Sequence, residues 1–372
     1  MTYHPVLAPR PRHWPIFAPL IFVLVLAAAW SGFWVYAARG ARAQIEDWRA
    51  QQAKAGRTFA CGREDFGGYP FRIEVRCIDA GVELKDSKPP VAIKLKQILV
   101  VAQVWDPKLL IAEFTGPLTA TMPGQPDMSA DWTLAQTSVR GTPNEPERAS
   151  IAIDGLKLDQ DGKRLMDAQH AEFHARVQFG SWPHNPAIDL AVKLVAASAP
   201  NFGPIVNQPS DFDAVAVLHG LKDLAPKPLP QRLREWQAAG GRIEVQSSRF
   251  AQGEALATAT GTVTLTPRGA LDGTMQVTAA GLLERFVPAL SGDKRPPPPD
   301  SALGAIERAV PTISGTIRGA PGQPNPLQIG LLALLGKQTD LEGKPAVAMP
   351  LKFTDGAVTL GPIPVGTIPS LY

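Results

Sequence analysis

The stretch PFRIEVRC at residues 70–77 alternates apolar and charged residues one by one. A period of two places apolar side chains on one face of a β-strand and polar side chains on the other. The same pattern returns along the chain in VAIKLKQILVV (91–101), AIDLAVKLV (187–195), GRIEVQS (241–247), GTVTLTP (261–267), TMQVTA (274–279), PLKFTDG (350–356) and AVTLG (357–361). These repeats predict a mainly β protein whose strands each have one apolar face.

Turn signals between the strands indicate how they connect. Asp-Gly pairs occur at 154–155, 161–162, 272–273 and 355–356, and both residues tolerate the positive φ of tight hairpins. We therefore expect long antiparallel meanders forming a curved sheet, a trough or a flattened barrel, with a few helices.

The predicted helices are 229–239, which ends at two glycines, 300–310 and the almost wholly apolar 327–335. A polyproline spacer, KRPPPPD, occupies 294–300. Because a second proline-rich stretch lies at 225–231, we expect two β-rich halves, 57–226 and 227–372.

Residues 15–38, PIFAPLIFVLVLAAAWSGFWVYAA, carry no charge. About 20 apolar residues suffice for a helix to cross a bilayer, so this segment predicts a single transmembrane helix after a tail at 1–14. A cleaved signal peptide is the alternative, with Ala27–Ala29 as its cleavage site. The bulky aromatic residues that follow favour the uncleaved anchor and predict a membrane interface at Trp30, Phe33, Trp34 and Tyr36.

Residues 39–56 continue with Ala, Gln and Arg, which predicts a helical stalk stopping near Gly56. Two placements are open for it. It could stand in solvent, or it could lie on the lipid headgroups with its arginines toward phosphate.

The two cysteines of the chain, Cys61 and Cys77, flank the turn Gly67-Gly68-Tyr69-Pro70. A disulfide between them would staple the first hairpin, close a short loop and persist in an oxidising compartment such as a periplasm. Two reduced thiols in a cytosolic domain are the alternative. Positive charges after the helix outnumber those before it, which by itself would place the body in the cytoplasm. Weighing these signals, we expect a cytoplasmic tail, an inner-membrane helix and a periplasmic body.

The charge distribution bears on the class of partner. The formal net charge is +3, but seven of the basic residues and two of the acidic ones lie within 1–57, so the remainder is slightly acidic. A near-neutral body with interspersed signs argues against nucleic acid, since phosphate binding requires a concentrated basic face.

Three patterns resemble catalytic or metal sites, and none is convincing. His170, Glu172 and His174 would share one face of a strand, as metal ligands could. The same face continues with further polar residues, which is typical of the solvent-exposed side of an amphipathic strand. Ser291 to Lys294 matches a Ser-x-x-Lys nucleophile without its partner motifs. Residues 330–337 resemble a phosphate loop with the wrong spacing. We therefore expect a protein that is not an enzyme and that has no metal or cofactor.

The order of motifs resembles a known family. An anchor ending in aromatic residues, Cys61, GGYPFR (67–72), Cys77 and the closing sequence GPIPVGTIP (361–369) together look like the proteobacterial envelope family catalogued as domain of unknown function 2125. That resemblance implies a single-pass inner-membrane protein with a periplasmic β-rich domain and no assigned activity. The meander segments are more loosely similar to AsmA-like proteins, whose long sheets carry lipid, a likeness of fold only.

Two functions are compatible with this organisation. An apolar sheet face must be buried against a second layer or a ligand, and few helices are predicted, so the body could bind or pass lipid acyl chains in an apolar β groove. Alternatively, the body could be a closed scaffold that docks other envelope proteins through its edges.

Overall fold

The computed structural model describes residues 14–87, 89–142, 145–182, 186–200, 206–224, 227–281, 336–361 and 363–372. Its architecture is a long N-terminal helix followed by one large antiparallel sheet, which confirms the mainly β prediction. The helices are α1 (Trp14–Lys54) and α2 (Leu229–Ala238). The strands are β1 (Arg57–Gly67), β2 (Arg72–Leu84), β3 (Val91–Gln103), β4 (Asp106–Thr121), β5 (Met128–Asp131), β6 (Leu134–Gly141), β7 (Pro146–Gln160), β8 (Lys163–Val177), β9 (Ala187–Ala197), β10 (Ser210–His219), β11 (Arg242–Gln252), β12 (Ala255–Leu265), β13 (Leu271–Ala280), β14 (Lys337–Leu341), β15 (Lys344–Thr354), β16 (Ala357–Leu360) and β17 (Ile363–Thr367).

The strands form a meander in which most pair with their sequence neighbours. The short strands β5 and β6 lie end to end between β4 and β7. Strand β15 pairs with β13 on one side and with β14 and β16 on the other. Among the described residues β1 and β17 do not pair with each other, so the described part of the sheet is open. A twisted open sheet of this width curls rather than staying flat.

Helix α1 runs back along the first strand. Its 41 residues make about 60 Å of helix, twice what a bilayer core requires. The second half is antiparallel to β1: Trp48 packs on Phe59 with ring centroids 4.6 Å apart, Arg49 Nη1 lies 2.7 Å from Glu64 Oε2, and the Arg42 guanidinium covers Phe66. The predicted stalk is therefore helical, and one side of it packs against the sheet, a placement that the sequence did not indicate. It packs against the sheet because these aromatic and charged side chains match those of β1.

Only two of the four Asp-Gly pairs form turns. Asp161-Gly162 and Asp355-Gly356 join neighbouring strands with positive φ at both residues, as predicted. The other two predictions were wrong, because both pairs lie inside strands: Gly155 in β7 and Gly273 in β13. At Gly273 a Cβ would collide with the Thr262 carbonyl of the neighbouring strand, so glycine is needed there for close approach.

A line of irregularities crosses the first half of the sheet. Residues with positive φ occur at Asp79 in β2, Gly155 in β7 and Ala196 in β9, and the register shifts between Leu95 and Gln97 in the pairing of β3 with β4. At such an irregularity two residues three positions apart lie on the same face of the sheet, as they would if they were two apart in a regular strand. The apolar residues on both sides of the irregularity therefore stay on one face. Bulges of this kind bend the strands and increase their twist.

The proline-rich junction at 225–231 leads into α2, whose bounds match the predicted helix closely. Strands β10 and β11 pair directly on either side of it, so the sheet runs through the expected boundary between the two halves. Several predictions lie outside the described residues: the tail, the spacer at 294–300, the helices at 300–310 and 327–335, the Ser291–Lys294 pattern and most of the 330–337 pattern.

Candidate functional site

One face of the sheet is lined by apolar side chains from strand to strand. Residues directly opposite each other in neighbouring strands point to the same side, so the registers define rows across the sheet. One row continues from β2 to β15 without a charged residue; it consists of Cys77, Ile98, Phe114, Ala135, Ile153, Ala171, Leu194, Phe212, Phe250, Ala257, Ala279 and Val347. A parallel row consists of Ile73, Ala102, Leu110, Val139, Ala149, Ala175, Leu190, Ala216, Val245, Gly261, Met275, Leu351 and Leu360. We call this surface the apolar face.

The disulfide shows that the apolar face continues past the bulges. Cys61 and Cys77 are bonded, yet Cys61 is opposite Ala80 whereas Cys77 is opposite Glu64. In a regular strand Cys77 and Ala80 would point to opposite sides. The positive φ of Asp79 between them lets both point to the same side. The buried pair Ala80 and Leu95 therefore extends the apolar face past the bulge, toward the end of β2 at Leu84.

Much of the apolar face is open. Leu110, Val139 and Phe173 keep 44%, 45% and 41% of their surface exposed, values that a packed core would not leave. Among the described residues no large side chain is fully buried, and half of the buried hydrophobic residues are alanines. The apolar face therefore lacks a second layer over much of its width within the described part of the chain.

The opposite face is polar along the corresponding rows. Asp65 is opposite Arg76, Glu172 is opposite Lys193, and Asp213 lies between Lys193 and Arg249. Opposite charges paired across strands are favourable on a wet surface. The contrast between the two faces assigns the polar face to water and leaves the apolar face as the candidate binding surface.

The suspected metal-ligand set lies on this polar face. His170 Nδ1 is 2.6 Å from Asp154 Oδ1, and its Nε2 is 2.8 Å from Glu172 Oε1. His174 Nε2 is 3.3 Å from the other oxygen of Glu172. The histidines are thus engaged with carboxylates in a hydrogen-bonded ladder, and no group of three metal-binding side chains occurs in the described ranges.

This ladder makes stability depend on pH. Hydrogen bonding to Asp154, then to Glu172, raises the pKa of His170, and hydrogen bonds from His170 and His174 lower the pKa of Glu172. The contribution of His170 is complete below its unfolded pKa of about 6.5 and is lost as pH rises through the folded value, whereas that of Glu172 is lost as pH falls through its lowered value.

We expect the melting temperature of the native protein to fall slightly more than that of His170→Gln when the buffer is changed from about pH 5.5 to about pH 8.5. The effect corresponds to less than about 1 kcal/mol, because solvent screens the ladder. Thermal unfolding monitored by circular dichroism checks it. Equal falls for the two proteins would contradict the assignment.

Helix α1 covers the apolar face at its first strand. The β1 residues that contact it, Phe59, Glu64 and Phe66, are opposite Val82, Cys77 and Val75, all on the apolar face. The helix therefore lies over the apolar face along one margin of the sheet, at the edge strand β1.

Trp30 and Trp34, two of the four aromatic residues predicted for the membrane interface, contact the β1–β2 connection, whereas Tyr36 is exposed. The indole nitrogens of Trp30 and Trp34 donate hydrogen bonds to the carbonyls of Pro70 and Arg72, both at 2.9 Å, and the hydroxyls of Ser31 and Tyr69 are 2.8 Å apart. We call this end of the sheet the anchor end, and the opposite end, where α1 leads into β1, the far end. An open apolar recess of about 650 Å³ lies at this junction, lined by Val23, Leu26, Ala27, Ala29, Trp30, Phe33, Tyr69, Pro70 and Phe71.

The sequence identified part of this arrangement. It predicted the Cys61–Cys77 bond, which the structure confirms. The motifs did not indicate that Phe71, Trp105 and α1 come together, with the Phe71 and Trp105 rings 6.2 Å apart. The period-two pattern held the signal for the apolar rows, but only the registers show that they join.

The first part of α1 is long and apolar enough to cross a membrane, and this apolar stretch is not buried in the protein. Together with a large β-sheet and a disulfide, this fits a membrane-anchored envelope protein. No curated protein and no solved structure is significantly similar to the chain. The sequence profile of one bacterial protein family matches residues 34–369, from within α1 to just before the C-terminus. The chain accordingly belongs to the family described as "Uncharacterized protein conserved in bacteria (DUF2125)".

Proposed function

We propose that this protein is a non-enzymatic, inner-membrane-anchored periplasmic protein that binds the acyl chains of lipid on the apolar face. One observation carries the proposal: apolar rows cross the sheet from β2 to β15 without a charge, while most of their side chains are only partly buried and Leu110 and Val139 stay 44% and 45% exposed. An apolar surface of this extent is unfavourable in water. Acyl chains are long, flexible and apolar, and they match a surface that is continuous but has few polar groups to orient a ligand.

The placement of the sheet beside the membrane supports this function. The apolar first part of α1 and the second part that packs on the apolar face belong to one continuous helix. Lipid would therefore need to move only a short distance from the bilayer to the apolar face. The disulfide between the middle of β1 and the middle of β2 favours the periplasmic side, because it requires an oxidising compartment.

A scaffold that docks partners through its edges is the weaker candidate. A strand added to edge β1 would meet α1, which packs on the face of that strand, and edge strand β17 contains Pro364, which cannot donate to a further strand. On β14 the exposed side chains include Lys337 and Asp340, and charges of this kind discourage strand addition.

The experiment that tests the function uses an exported chain beginning at residue 36, which keeps the part of α1 that contacts β1. The protein is purified without detergent, and the extracted lipids are identified by mass spectrometry, with native mass spectrometry giving their number per chain. We expect a near-stoichiometric phospholipid or other acyl lipid. A folded protein that carries no lipid would contradict the function.

A further inference from the structure

Exposed large apolar residues outside α1 are concentrated at the anchor end of the sheet. Four of the connections there each present at least one: β1–β2, β3–β4, β8–β9 and the connection from β10 to β11 that contains α2. The β6–β7 and β15–β16 connections lie at the same end and present none among their described residues. Near the β12–β13 turn the chain terminus adds another, since Leu371 N donates to the Gly269 carbonyl. The residues are Tyr69, Phe71, Trp105, Phe179, Leu224, Leu229 and Leu371. We call them the apolar rim.

The far end has a different character. Its connections contain residues such as Lys85, Asp86, Gln125, Gly162 and Glu254. None of the described residues in the far-end connections is an exposed large hydrophobic side chain. Water solvates the far end, whereas leaving the apolar rim in water is costly for side chains such as Phe179, which is fully exposed.

The position of α1 identifies what the apolar rim meets. The anchor end is where the uncharged part of the helix enters: Trp30 and Trp34 hydrogen-bond to the β1–β2 turn, and the recess beside that turn is lined partly by Val23 and Leu26. A helix that spans the bilayer up to Trp30 and Trp34 places Tyr69 and Phe71 at the headgroup level. Aromatic side chains favour that depth because they combine an apolar body with a polar edge.

We propose that the anchor end of the sheet is a second membrane-binding surface, which inserts the apolar rim into the interface of the bilayer that holds α1. The occupant is bilayer lipid, since the surface is continuous with the transmembrane segment and spreads away from it along the strand ends. In this arrangement the strands stand on the membrane, and the apolar face opens onto lipid at its base. This surface would be needed whether or not the apolar face itself binds acyl chains.

Phe179 provides the sharpest test, because it lies six strand positions from β1, about 30 Å along the sheet. A tether at α1 alone would not hold it at the membrane. A fluorescent amino acid is placed at position 179 of the full chain and, as a matched control, at Gln125 in a far-end turn. Each protein is reconstituted in vesicles of phosphatidylethanolamine and phosphatidylglycerol whose acyl chains are brominated near the headgroup.

We expect brominated lipid to quench the label at position 179 several-fold more strongly than the label at 125. Adding Leu229→Ser and Trp105→Ser to the chain labelled at 179 should reduce this quenching, and circular dichroism would show that the fold is kept. Equal quenching at 179 and 125 would overturn the proposal and would leave acyl binding by the apolar face intact. Conversely, strong quenching at 179 in a protein that carries no lipid on the apolar face would reject only the proposed function.

Discussion

Val277→Asp is expected to remove at least nine-tenths of the lipid that co-purifies with the exported protein. Val277 lies on the apolar face of β13, opposite Ala259 in β12 and Met349 in β15. A carboxylate there would have to lose its water to contact an acyl chain, which costs several kcal/mol, and each 1.4 kcal/mol is about a factor of ten in affinity. Lipid is quantified by mass spectrometry per mole of protein.

The matched control for this variant is Gln276→Asp. Gln276 is exposed on the polar face of the same strand, opposite Thr260 and Pro350, so it receives the same charge without touching the apolar face. Val277→Ala should also retain lipid, since it keeps the surface apolar. Native levels of lipid in folded Val277→Asp would contradict the role of the apolar face, as would equal losses in both aspartate variants.

Replacing both cysteines, as Cys61→Ala with Cys77→Ala, is expected to lower the melting temperature by roughly 4–5 °C. The bond joins residues 16 positions apart, and closing a loop of that length contributes about 3 kcal/mol in the chain-entropy model. Without the disulfide, the pairing of β1 with β2 is destabilised, and β1 is the strand that α1 packs against. Differential scanning calorimetry of the full chain in detergent provides the measurement.

A reducing agent supplies the control for the disulfide. It should lower the melting temperature of the native protein toward that of the double variant and leave the double variant unchanged. The compartment can be tested separately by alkylating intact cells without reductant. If both Cys61 and Cys77 react as free thiols, the oxidised hairpin and the argument for a periplasmic body are both wrong.

The alternating pattern made the strands and their faces predictable, because burial on one side imposes a period of two. Ile73 and Val75 in β2 were assigned to an apolar side, and their cross-strand partners Ala102 and Val100 are apolar as well. The aromatic residues after the apolar segment were also identified. Their contacts with the β1–β2 turn were not, since a partner 40 residues away leaves no periodic signal.

The bulges and the close approaches escaped prediction for a different reason. Asp154-Gly155 and Asp272-Gly273 have the composition of hairpin turns, and local composition does not reveal whether a neighbouring strand continues past them. Gly155 has the positive φ of an irregularity inside β7. Gly273 lacks a side chain that would collide with the backbone of the neighbouring strand β12. The stalk was equally ambiguous: Trp48 and Arg49 suit water or headgroups, and only Phe59 and Glu64 in the folded chain determine where they bind.

The most direct test of the central claim uses the full chain in its own membrane. A photoreactive amino acid is placed at Val277 in one protein and at Gln276 in another, cells are irradiated, and crosslinked lipid is detected on each purified chain. Acyl binding by the apolar face predicts lipid on the chain labelled at 277 and little or none at 276. Equal labelling at both positions, or no lipid at 277 in a folded, membrane-inserted chain, would contradict it.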